Sequence, residues 1–176
     1  MDSTRRQWLS GWMAMAAWPE IMAAQAGGHF ETLDAETAAE VEALAALIIP
    51  STDGPGAREA GVIYCIDRAL ATFASDEREA YRNGMAQVQA KRTELFPASI
   101  SIRALSAEQQ MALMKAIETS DFFELLRTHT VLGFLGNPSY GGNREKVGWR
   151  QIGFEDRMMW EPPFGYYDAE AAKGGK

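Results

Sequence analysis

The sequence predicts an all-α fold, a compact bundle of about five helices followed by an irregular C-terminal segment rich in glycine and aromatic residues. Three observations carry this expectation. Apolar residues recur at three- and four-residue spacing in successive windows, helix-start residues and breakers punctuate them, and no window alternates apolar and polar residues as a half-buried strand would. There is no internal repeat, so the windows belong to one bundle.

The first helix is expected from Ala35 to Ile49, behind Asp34 as N-cap. Ala38, Val41, Leu44, Ala45 and Ile48 form its apolar stripe, Glu40 and Glu42 lie away from it, and Pro50 stops it. Before it, Gly27-Gly28-His29-Phe30 reads as a short linker. After it, Ser51-Thr52-Asp53-Gly54-Pro55-Gly56 reads as a loop. A second helix is expected from Ala57 to about Phe73, with Val62, Ile66, Leu70 and Phe73 as its stripe and Ile63 widening it. The third starts behind Ser75-Asp76, buries Tyr81, Met85, Val88 and Leu95, and ends near Phe96-Pro97. Ser106-Ala107-Glu108-Gln109 matches a capping box and opens the fourth, through Met111, Leu113, Met114 and Ile117, with both methionines assigned to packing. The fifth begins at Ser120-Asp121, carries Phe122, Phe123, Leu126, Thr130 and Phe134, and breaks at Gly136-Asn137-Pro138.

Ahead of the bundle, Arg5 and Arg6 follow Ser3-Thr4 and precede an apolar stretch from Trp8 to Trp18, and Ala24-Gln25-Ala26 offers the small-x-small step that a signal peptidase accepts. The order of these parts is that of a twin-arginine export signal. A membrane-spanning helix needs about 20 apolar residues, and Pro19-Glu20 interrupts this run too early. The expected organisation is a signal over residues 1–26, one helical domain over 27–167 and a fraying tail over 168–176. The expected location is the periplasm.

The chain has 176 residues and a formal charge of −7, enough length for one full core and too little positive charge for a nucleic-acid surface. Its single cysteine, Cys65, excludes an internal disulfide and reads as a small buried helix residue. His129 is the histidine that falls inside a patterned element, where only Glu124 and Arg127 are local, so a structural role is expected over a general base. His29 sits too near a terminus for chemistry, and the two histidines make no metal or haem pattern. The glycines from Gly136 to Gly142 follow a helix rather than a strand, which excludes a dinucleotide loop. The Asp53-Gly54-Gly56 region lacks the ligand spacing of an EF-hand.

The densest local signal runs from Phe122-Phe123-Glu124-Leu125-Leu126-Arg127-Thr128-His129-Thr130 through Gly133-Phe134-Leu135-Gly136-Asn137-Pro138-Ser139-Tyr140-Gly141-Gly142-Asn143-Arg144 to Val147-Gly148-Trp149 and Ile152-Gly153-Phe154. Together with Ile49-Pro50, Thr52-Asp53 and Pro55-Gly56-Ala57-Arg58-Glu59-Ala60-Gly61-Val62, it resembles the gluconate 2-dehydrogenase subunit 3 family over most of the mature chain. That resemblance implies a noncatalytic small subunit of a periplasmic or membrane-associated dehydrogenase complex. Its implied partners are a large FAD-carrying subunit of the glucose-methanol-choline oxidoreductase type and a cytochrome c subunit. FAD, and haem c or an iron–sulfur cluster, would then belong to those partners and not to this chain.

Arg127, Pro138, Tyr140, Asn143, Arg144, Trp149 and Phe154 are the candidate partner interface. Aromatic rings offer broad rigid contact and guanidinium groups suit bidentate contacts, although the same residues can instead cover the core and cap the loop's own carbonyls. Trp160 belongs with the aromatics, and Met158 and Met159 are adaptable enough for an interface. In the favoured reading the chain escorts the flavoprotein to the twin-arginine translocase and stays bound to it. The competing class is an independent periplasmic enzyme or ligand-binding domain with a pocket near His129 and Arg127.

Overall fold

The computed structural model describes residues 29–159 and 164–174, and among them every regular element is a helix. The predicted signal, with Arg5, Arg6 and Ala24-Gln25-Ala26, lies outside the described residues, as does Trp160. The five expected helices are present: α1 (Ala35–Ile48), α2 (Val62–Ala71), α3 (Arg78–Leu95), α4 (Ala107–Ile117) and α5 (Asp121–Leu135). Two short ones, α6 (Val147–Gln151) and α7 (Tyr166–Gly174), occupy the segment expected to be irregular.

The predicted punctuation acts physically where it was read. Asp34 caps α1 through Thr37 N–H at 2.8 Å, Ser120 caps α5 through Phe123 N–H, and Ser106 with Gln109 closes both bonds of a capping box on α4. α2 begins later than expected. Residues 57–61 form a turn ending at Gly61, whose φ of 65° is left-handed, so helical dihedrals start only at Val62. Arg78 then donates to the carbonyls of Leu70 and Ala71, finishing α2 from outside. Phe73 therefore falls beyond the helix and is 68% exposed rather than part of its stripe.

The core joins all five helices, with the broadest contact between α2 and α5. Leu44, Ile66, Leu70, Leu113 and Leu126 are fully buried there, and the Tyr81 ring meets Phe122 edge-on at 5.5 Å. Gly84 lets that ring approach: a β-carbon on it would lie 2.1 Å from the Phe122 ring. Met114 is buried as expected, whereas Met111 and Leu95 are exposed, because Met111 lies off the Leu113–Ile117 stripe and Leu95 ends α3 at the bundle's edge.

Two buried carboxylates tie the bundle together, and one of them, Glu40, departs from the sequence reading. Glu40 is buried, not solvated: it accepts Ile102 N–H at 2.7 Å, pairs with Arg103 at 3.2 Å and receives Gln89, tying α1 to the connection between α3 and α4. Asp67, also buried, accepts the N–H groups of Glu31, Thr32 and Leu33 at 2.6, 2.9 and 2.8 Å. The supposed linker around Phe30 is thus held in place, and its ring stacks on Tyr64 at 5.4 Å. At the other end, Tyr166–Gly174 is helical, with Asp168 accepting Phe164 N–H and Lys173 pairing with Glu170.

Candidate partner interface

The loop after α5 is folded back on that helix, backbone against backbone. A β-carbon on Gly142 would fall 2.1 Å from Gly133 O and one on Gly148 would fall 2.0 Å from Phe134 O, so only hydrogen fits at either approach. Asn143 spans the gap. Its Nδ2 donates to Gly136 O and its Oδ1 accepts Gly148 N–H, both at 2.9 Å, and the side chain is wholly buried. Asn143, Glu145 and Lys146 take positive φ of 45°, 54° and 58°, a backbone cost that the surrounding contacts offset.

The predicted interface residues divide by direction. Asn143, Arg144 and Trp149 are engaged within the chain. Arg144 donates its N–H to Ala60 O and lays its guanidinium 3.8 Å from the centre of the Tyr64 ring, while Trp149 Nε1–H donates to Leu135 O at 2.6 Å. Tyr140 and Phe154 are 55% and 51% exposed, Pro138 is half-buried as it opens a short 3₁₀ turn, and Arg127 is exposed. Phe154 lies edge-on to Trp149 at 5.0 Å, so the outward ring is seated on the inward one. Arg68 closes the loop from α2 by donating to Ser139 O.

His129 and Arg127 face different surroundings. His129 is buried between α3 and the 3₁₀ turn before it: Nδ1 is 2.9 Å from Tyr81 Oη and Nε2 is 3.0 Å from Glu77 Oε2. The carboxylate favours the tautomer with its proton on Nε2, so the Tyr81 hydroxyl donates to Nδ1. Burial lowers the His129 pKa, with Glu77 pulling weakly the other way. Burial likewise raises the Tyr81 phenol, reinforced by Glu77. Arg127 instead pairs with Glu124 at 2.6 Å and borders a groove of about 590 Å³. Leu47, Ile48, Met114 and Phe123 also line that groove, and His129 does not. Arg127 and His129 therefore do not share this groove.

Cys65 is buried, and burial raises its thiol pKa, which makes it a packing residue rather than a thiolate. Among the described residues no group of three His, Cys, Asp or Glu side chains is placed to hold a metal ion, and no helix is long and apolar enough to cross a membrane. Sequence reasoning missed Asp67, Glu40 and the Glu77–Tyr81 pair around His129. Glu77 and Tyr81 had a weak local signal, four residues apart at the start of a helix.

Residues 35–156 match the family model of gluconate 2-dehydrogenase subunit 3. The chain belongs to that family. The match takes in α1 to α6 and the whole glycine loop, and it ends before Met158. No curated protein and no solved structure matches the chain. The family is that of a subunit of a gluconate 2-dehydrogenase complex, an accessory component alongside other chains.

Proposed function

We propose that this protein is the noncatalytic small subunit of an FAD-dependent dehydrogenase that oxidises CH–OH groups of sugars or sugar acids. It aids folding of the large flavin-carrying subunit, provides the complex with a twin-arginine address, and stabilises the complex in the periplasm, at the membrane through its partners. The observation that carries this reading is membership of the subunit 3 family across α1 to α6. FAD belongs to the large subunit, and haem c or an iron–sulfur cluster to an electron-transferring partner such as a cytochrome c subunit.

The geometry supports an adaptor. His129, Asn143, Asp67 and Glu40 are spent on holding helices and loops to one another, while Arg127, Pro138, Tyr140 and Phe154 leave contact surface on the outside. The twin-arginine route carries folded cargo, which suits a partner loaded with flavin in the cytoplasm. The test is affinity purification of the tagged full chain with flavin absorbance as readout, paired with Arg5→Lys/Arg6→Lys. A copurifying large flavoprotein, and retention of both chains in the cytoplasm by the variant, are the expected results. A chain that purifies without flavoprotein, or flavoprotein export unaffected by the variant, overturns the escort role.

A further inference from the structure

Between the end of α1 and the outer sides of α4 and α5, the bundle leaves the open groove of about 590 Å³ that Arg127 borders. α4 and α5 do not pack broadly on each other, and Leu47 and Ile48, from the last turn of α1, line the gap. Phe123 and Met114 line it as well, the first half-buried and the second a core residue. Met111 belongs to the same groove and is 59% exposed, although it is a large apolar residue. On α5, Phe123, Arg127 and Val131 follow at four-residue steps, so Val131, 37% exposed, carries the apolar face one turn further.

We propose that this groove receives an amphipathic helical segment of the large flavoprotein subunit, an inference that rests on the reading above and locates its contact surface. Every lining residue falls between Leu47 and Arg127, inside the stretch 35–156 shared with a family of dehydrogenase-complex subunits, and that membership supplies the occupant as another chain of the complex. The polar side chains of the groove, Lys115, Glu118 and Arg127, are all exposed, so no buried polar group is there to orient a small molecule. A helical segment needs none, since apolar anchors at three- and four-residue spacing fill such a groove while its polar face stays in water. The charges select its sequence. Arg127 is already paired with Glu124 at 2.6 Å, whereas the side chains of Lys115 and Glu118 have no partner among the described residues. One base and one acid, a turn apart on α4, match an acid and a base a turn apart on the docking segment. The same balance offers anionic lipid no basic cluster.

The experiment compares the tagged full chain, purified from its own cells, with Met111→Glu/Lys115→Glu, with Lys115→Glu alone, and with Ile100→Ser, an exposed apolar residue on the α3–α4 connection. Flavin recovered per chain, oligomeric state by light scattering and far-ultraviolet circular dichroism are the readouts. The double variant is expected to recover about tenfold less flavin with unchanged helix content, Lys115→Glu about threefold less, and Ile100→Ser as much as the parent. Equal recovery by the double variant overturns the groove as the docking site while leaving the subunit role standing. A parent chain that recovers no flavoprotein overturns both. A homodimer that the double variant splits, with flavoprotein still bound, assigns the groove to a second copy and overturns the proposal. Should the double variant lose helix content, Lys115→Glu, a surface change, decides: recovery equal to the parent overturns the groove, and reduced recovery with intact helices supports it.

Discussion

The glycine loop from Gly136 to Trp149 and the arm that follows it, described over residues 153–159 and 164–167, both carry glycines and aromatic rings, yet one is built inward and the other outward. The loop meets α5 through bare backbone at Gly142 and Gly148, and buried Asn143 closes the hydrogen bonds that this close approach would otherwise strand. The arm has no such approach: Gly153 and Gly165 have open space where a β-carbon would stand. Glycine content alone therefore says little about where a segment goes. What matters is whether a carbonyl lies opposite it.

The comparison breaks most sharply at Gly148. Gly148→Ala drives a methyl group into Phe134 O and is expected to cost about 4 kcal/mol or to prevent folding, measured by urea unfolding. Gly165→Ala in the arm, by contrast, meets no atoms and costs only the strain of a side chain at a φ of 158°, about 1 to 2 kcal/mol. Next comes Asn143→Ala, which strands Gly136 O and Gly148 N–H and is expected to cost about 3 kcal/mol in the same assay.

Trp149→Ala and Tyr140→Ala sharpen the contrast within the loop itself. The first loses a hydrogen bond and a half-buried ring and should destabilise by about 2 kcal/mol; the second, largely exposed, should stay within about 0.5 kcal/mol. Equal effects would show that the loop is not divided into inward and outward rings. The smallest effect is a pH dependence at His129. Its folded pKa is lowered by burial, so the native state prefers the neutral ring. The contribution is therefore complete above the ordinary value of 6.5 and declines as pH falls below it. Melting temperatures between about pH 7.5 and 5.5 should fall more for the parent than for His129→Gln.

Much of the bundle was legible because its signals are local. Asp34, Ser106 and Ser120 cap their own helices within three residues, and Pro50 and Gly136 end theirs. Asp67 and Glu40 were not, since their partners lie about 35 and more than 60 residues away and leave no periodic trace. At the candidate interface, the loop's composition showed that it was special, but not that Asn143 and Trp149 turn inward while Tyr140 turns out. That direction depends on which carbonyls of α5 and its C-terminal turn are left to bond, a fact of the folded chain. Phe73 and Leu95 failed as core residues for a simpler reason, since periodicity reads on to and past the ends of their own helices: α2 stops at Ala71, before Phe73, and Leu95 is the last residue of α3.

The Asp67 clasp has a mechanical consequence. Its three N–H bonds attach Glu31, Thr32 and Leu33 to the middle of α2, the helix that packs most broadly on α5. Tension on the chain ahead of His29 is delivered to the centre of the bundle instead of to a fraying edge. A pull must then shear three charge-assisted bonds together rather than peel them one by one, so the folded body is drawn along as a unit.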